Sequence, residues 1–205
     1  DTTNAVTHSY TANSLNQYTS ITNGGLRLLS YDLDGNLTND GVFAYEFNGE
    51  NRLINAEPLT PSNGSKRVRN AYDYMGRRYL KAVDTWNGST WIAISTNVFV
   101  YDGFLVMQER DATNAVIRSY THGLDLSASL QGSGGIGGLL SLTAGTNTWF
   151  YFGDGNGNIT ELASGSGAVS AHYEWDAYGN RMNAAAPGEP DNPFLFSSQY
   201  FDPET

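Results

Sequence analysis

The sequence predicts an all-β fold in which successive antiparallel β-hairpins lie side by side in a curved or spiralling sheet strip. Three observations predict it. Aromatic residues make up 13% of the chain, short aromatic and β-branched runs alternate with Asn-Gly and Asp-Gly pairs, and a Tyr-Asp-x-x-Gly unit recurs.

Composition supports a folded, β-rich chain. Of 205 residues 40% are apolar and only 16% charged, which excludes a disordered polypeptide. There is no cysteine, so stability rests on packing and hydrogen bonding. A formal charge of -10 argues against nucleic acid as a partner, because phosphate affinity needs clustered Lys and Arg. One basic cluster exists, Lys66, Arg67, Arg69, Arg77, Arg78 and Lys81. It reads as solvent-facing positions on two strands rather than as an anion site. No run approaches the roughly 18 apolar residues of a membrane span, so membrane insertion is not expected. The N-terminal Asp1-Thr2-Thr3-Asn4 lacks the basic and apolar regions of a signal peptide, and any export signal is expected outside these residues.

The turn pairs are Asn23-Gly24, Asp34-Gly35, Asp40-Gly41, Asn48-Gly49, Asn63-Gly64, Asn87-Gly88, Asp102-Gly103, Asp154-Gly155 and Asn156-Gly157. Glycine supplies the positive φ that tight hairpins require. The clearest hairpin runs Tyr79–Trp86, then Asn87-Gly88-Ser89-Thr90, then Trp91–Tyr101, which sets Trp86 opposite Trp91. No window sustains apolar spacing at i, i+3, i+4 and i+7, so little or no helix is expected. The glycine-rich stretch 131–140 lacks the Lys-Ser/Thr ending of a phosphate loop.

Self-similarity occurs at two scales. The short unit appears as Tyr31-Asp32-Leu33-Asp34-Gly35-Asn36, Tyr72-Asp73-Tyr74-Met75-Gly76-Arg77 and Trp175-Asp176-Ala177-Tyr178-Gly179-Asn180. Its physical reading is a strand ending in an aromatic, an Asp whose carboxylate accepts turn N–H groups, and a Gly at positive φ. Tyr31, Asp32, Gly35, Tyr72, Asp73, Gly76, Trp175, Asp176 and Gly179 are therefore expected as structural turn residues. A longer echo relates Asp1–Val6 with Ser9-Tyr10-Thr11 to Asp111–Val116 with Ser119-Tyr120-Thr121, offset throughout by 111 − 1 = 110 residues.

These units resemble the YD-repeat, or RHS-repeat, family. The tail Asn192–Thr205 resembles the opening of that family's C-terminal core motif, as do Tyr120–Gly132 and Asp154–Thr160. The whole chain, 1–205, is then a YD-repeat region, with divergent hairpins over 1–100 and a truncated start of the core over 101–205. The resemblance implies a spiralling β-sheet shell, as in bacterial RHS effectors, toxin-complex components and teneurins, enclosing a cytotoxic polypeptide in the bacterial cases. With 205 residues too few to close such a shell, the chain is expected to be a fragment or one subunit of an assembly.

No residue set points to chemistry. Asp32-x-Asp34-x-Asn36 and Asp154-x-Asn156-x-Asn158 have the spacing of half a calcium loop, but Phe43 and Gly165 stand where the closing Glu belongs. His8, His122 and His172 lie in no metal or nucleophile motif, and nothing marks one Ser as a nucleophile. Asn36, Asn63, Asn87 and Asn158 begin glycosylation sequons. The expectation is a non-enzymatic structural protein, part of a secreted shell or of an extracellular or surface fibre that assembles through sheet edges, without catalytic residues, metal or cofactor. Its partners would be other copies of itself, flanking repeats and an enclosed polypeptide. The alternative is a glycan-binding module in which Trp86 and Trp91 stack on sugars rather than pack internally.

Overall fold

A computed structural model describes residues 8–205. The fold is all-β, with sixteen strands, one three-residue 3₁₀ turn and no α-helix among the described residues. Of the 110-residue echo, the Asp1–Val6 copy lies outside the described residues, whereas Ser9-Tyr10-Thr11 and Ser119-Tyr120-Thr121 both fall in strands. The described residues form two compact units, 8–96 with 204–205, and 97–203.

In the first unit β1 (Ser9–Ala12), β2 (Tyr18–Thr22) and β3 (Leu26–Leu28) make a small antiparallel sheet. There follow β4 (Ser30–Tyr31), β5 (Leu37–Asn39), β6 (Phe43–Phe47), β7 (Leu53–Pro58), β8 (Lys66–Tyr72) and β9 (Arg78–Trp86), each antiparallel to the next. Short Gly- and Asn-containing connections leave no length for a crossover, so pairing follows chain order.

The apolar centre of this unit is small, consisting of Ala56, Val68, Ala82 and Val83. Charge fills the rest. Arg67 lies directly opposite Asp84 across β8 and β9, and Asp84 is 2% exposed. Asp84 accepts from Arg67 at 2.7 Å and Arg69 at 2.9 Å, while Lys81 meets Glu204 at 2.7 Å. This corrects the solvent-facing reading at Lys81 and Arg67, whose side chains are 5% and 23% exposed, while Arg69 does face solvent at 49%. The physical reason is the counter-charge: a cation on a strand can be buried when register brings a carboxylate opposite it. Burial works to raise the Asp84 pKa, and the Arg69 and Arg67 guanidinium groups outweigh it, so the carboxyl sits below its ordinary value.

The strand β10 (Trp91–Asp102) begins in the first unit and ends in the second. Its second half pairs with β11 (Leu105–Arg110), and β12 (Val116–His122), β13 (Leu139–Ala144), β14 (Asn147–Gly153), β15 (Ile159–Ser164) and β16 (Val169–His172) follow in chain order. One face carries Phe99, Tyr120, Leu142, Tyr151 and Leu162, all buried. Strand alternation puts their neighbours Phe150 and Phe152 on the other, exposed face. Residues 191–203 run back over the apolar face, where the Phe194 ring meets Tyr120 edge-on at 4.9 Å and Tyr200 meets Phe99 at 5.3 Å.

In an antiparallel ladder taken in chain order, every second connection lies at the same end. The close approach of Gly157 to this segment's neighbours illustrates the crowding there: with φ +76, its Cβ would come 3.0 Å from the Gly137 backbone nitrogen. Gly64 has a similar φ of +89 but open space around it. Both substitutions by Ala carry the positive-φ cost, and only Gly157→Ala adds a backbone clash. Urea unfolding should show Gly157→Ala less stable than Gly64→Ala by about 1 kcal/mol or more.

Candidate functional site

The recurring turn is the local feature from which the site is built. At Asp32 the backbone N–H donates to Asn36 O and the carbonyl accepts from Gly35 N–H, at 3.0 and 3.2 Å. The carboxylate Oδ1 accepts the N–H groups of Asp34 and Asn36, and Oδ2 accepts Asn36 Nδ2. Asp73 and Asp176 repeat this, with Gly35, Gly76 and Gly179 at φ +89, +84 and +83. Tyr31 and Tyr72 lie on the strands leading in, and their hydroxyls donate to the carbonyls of Tyr18 and Leu53. Trp175 donates its indole N–H to Ile159 O.

The same turn also forms where the sequence unit is degraded. Asn13, Asn48, Asp111 and Asp154 each accept the N–H groups two and four residues on. The positive-φ position is then filled by Asn16, Asn51, Asn114 and Gly157. Asn tolerates the left-handed region better than other non-glycine residues, which is why a motif demanding Gly misses three of these four. The signal that finds them is an Asp or Asn followed three residues later by Gly or Asn.

Successive turns on one rim are joined by side chains. In the first unit Asn36 Nδ2 donates to Asn51 Oδ1 at 2.9 Å, and Arg52 Nη1 donates to Asp73 O at 3.1 Å. In the second, Ser198 donates to Gly157 O, its Oγ accepts from Gly137 N–H, and the Phe196 ring lies against Gly179. The turn carboxylates titrate low. Asn36 and Asn180 hold Asp32 and Asp176 below the usual carboxylate value, and the Ser127 hydroxyl leads the group that draws Asp125 down to about 2. In the two half-calcium loops these oxygens are already taken by N–H groups, and among the described residues no group of three or more His, Cys, Asp or Glu could hold a metal.

The remaining expected residues have ordinary surroundings. The Trp86 and Trp91 rings pack edge-on at 5.3 Å across the loop that Asn87 closes, and Arg67 covers Trp91 at 4.9 Å. His122 meets Val106 O and His172 lies between Glu161 and Glu174. Two cavities of about 710 and 700 Å³ flank the Trp175–Phe196 contact.

The most concentrated polar site was not expected from the sequence. Glu109, fully buried, stands directly opposite Arg118 on the next strand. Its carboxylate accepts from Arg118 at 2.9 Å, Asn97 at 2.7 Å, Tyr200 at 3.2 Å, and Tyr120. Arg118 also donates to the Asp191 carbonyl at 3.0 Å and pairs with its carboxylate. Burial, then the Glu109 charge, push the Tyr120 phenol well above its ordinary pKa, so it stays a donor. One carboxylate thus ties the 191–203 segment to the sheet. The signal available was the Asp111 turn, whose register sets Glu109 against Arg118.

No family model matches the chain. Among curated proteins it is similar to the tRNA3(Ser)-specific nuclease WapA of Bacillus spizizenii, 33% identical over 197 residues, covering 94% of this chain and 7% of the relative. The tRNA nuclease WapA of Bacillus subtilis strain 168 matches at 33% over the same shares. Among solved structures it resembles a TcdB2-TccC3 chain, with a TM-score of 0.54 at 13% identity over 95% of this chain and 11% of that one. The Tc holotoxin pore of Photorhabdus luminescens gives a TM-score of 0.55 at 13% identity over 96% and 11%. These likenesses show the fold. The expectation of a non-enzymatic protein is corrected by the curated relatives, which are named as tRNA nucleases. The repeat pattern carried no sign of that activity because it reports only how the sheet is built.

Glu109→Ala would remove the buried acceptor shared by Arg118, Asn97, Tyr120 and Tyr200, leave Arg118 only the exposed Asp191 carboxylate, and should cost about 3–5 kcal/mol in urea unfolding. Tyr200→Phe, which removes one of four donors, should cost about 1 kcal/mol.

Proposed function

We infer that this chain, which belongs to the YD-repeat (RHS) family, is a stretch of shell wall in a larger nuclease toxin. The observation that carries the reading is a chain-order ladder of hairpins with capped turns, extending over the same residues that are 33% identical to proteins named as tRNA nucleases. The chain spans 7% of the length of those relatives, so nuclease activity, secretion or surface display, and the enclosed polypeptide are proposed for the whole protein.

The physical case for a wall is the distribution of side chains. In β8, β12 and β14 buried residues alternate with more exposed ones, as in a sheet that separates two spaces. Hairpins in this arrangement are stabilised by their neighbours, so flanking repeats of the same chain are the natural partners. At the β16 edge of the second unit, Asn183 and Arg181 side chains already occupy the His172 carbonyl, which weakens the case for open-edge growth into a fibre.

The test uses the full-length protein. It should cleave tRNA, and limited proteolysis should spare the enclosed polypeptide in the native protein and degrade it in Glu109→Ala. Absence of tRNA cleavage would overturn the nuclease part. Unchanged protease protection in a variant whose wall has demonstrably lost stability would overturn the wall part.

A further inference from the structure

Five Asn-Gly pairs, beginning at Asn23, Asn48, Asn63, Asn87 and Asn156, are chemically alike in sequence, and the structure distinguishes them. We propose that Asn23 is a spontaneous modification site, where the side-chain amide is lost to give aspartate and isoaspartate. The reaction balances without a cofactor or oxidant. The deprotonated backbone nitrogen of the following Gly attacks the Asn Cγ, the bond from Cγ to the side-chain nitrogen breaks, and ammonia leaves. Water then opens the five-membered imide at either carbonyl. Two groups must therefore be free: the Asn side chain, which must turn towards its own backbone, and the Gly N–H, which must give up its proton.

Four of the pairs fail one or both conditions. The Asn48 side-chain oxygen accepts the N–H groups of Glu50 and Arg52, each at 3.0 Å. Asn87 likewise holds Ser89 and Thr90, each at 2.9 Å. Gly64, after Asn63, donates its N–H to Trp86 O at 2.8 Å. Gly157, after Asn156, donates to Asp154 O at 3.0 Å and is wedged against Gly137. Asn23 differs in both respects. It is exposed, and among the described residues neither its side chain nor the Gly24 N–H has a hydrogen-bond partner. Neither Gly24 nor Gly25 has an atom within 4 Å of a Cβ position, so the backbone has room to form the ring.

The consequence is local. Asn23 lies in the connection between β2 and β3, where Thr22 pairs with Leu26 and the adjoining Arg27 holds the Asp40 carbonyl and carboxylate. The isoaspartate product lengthens the main chain within this hairpin loop and adds a negative charge, loosening the register that positions Arg27.

The test is peptide-mapping mass spectrometry of the folded 205-residue chain, incubated at mildly alkaline pH in ¹⁸O water so that the product carries the label. Asn23 should convert about tenfold faster, or more, than Asn48 and Asn87, whose two hydrogen bonds must break first. In denaturant the five rates should converge. Equal rates at Asn23 and Asn48 in the folded chain, or a preference for Asn23 that persists in denaturant, would overturn the proposal.

Discussion

The structure depends on one small arrangement, a side-chain oxygen of Asp or Asn that accepts the backbone N–H groups two and four residues ahead of it. Without it, those N–H groups would face the inside of a tight turn with no partner, an arrangement that costs free energy wherever water is excluded. With it, the chain reverses in a fixed number of residues and the next strand leaves in a set register. That register decides everything downstream, because a slip of one residue would exchange the buried and exposed rows of a strand. The linked rims, from Asn36 to Asn51 and from Arg52 to Asp73, extend this control from single hairpins to their neighbours.

Within each unit the capped turns give way to a different kind of core. The first unit sets Arg67 and Arg69 around Asp84, and the second sets Glu109 among Arg118, Asn97 and two tyrosine hydroxyls. Such networks are weak sources of net stability, since desolvation offsets most of the attraction, but a missing member leaves a charge stranded. In the second unit this makes the network a selective fastening. Residues 191–203 gain aromatic contacts with Tyr120 and Phe99 only in the position where Tyr200 and Asp191 also complete the hydrogen bonds of Glu109 and Arg118.

The all-β ladder was legible because turn chemistry is local: Tyr31-Asp32 through Gly35, and its counterparts at Asp73 and Asp176, contain all the atoms that close their own turns. The Trp86–Trp91 contact was legible for the same reason, as a four-residue loop fixes which residues face each other. Burial was less legible. The Lys66–Lys81 cluster read as surface because its counter-charges, Asp84 and Glu204, become neighbours only through pairing and through the distant C-terminus. Glu109 was overlooked because a lone acidic residue in Leu105–Arg110 resembles an outward position until its register with Arg118 is known. The activity for which the relatives are named was not legible, since a repeat that builds a sheet says nothing of chemistry elsewhere in proteins of whose length the chain spans 7%.

The role of the turn carboxylates is tested most directly by the pH dependence of unfolding. Their folded-state pKa values lie below the ordinary 3.8, with Asp125 at about 2, so their contribution is complete above about pH 4 and is lost as pH falls through the folded values. Stability measured by urea unfolding should therefore be flat from about pH 6 to pH 4 as far as these groups are concerned and decline towards pH 2. Replacing Asp32, Asp73 and Asp176 together by Asn, the residue that already caps the turns at 13 and 48, should make that decline shallower. An acid profile identical in the wild-type chain and the triple variant would contradict the account.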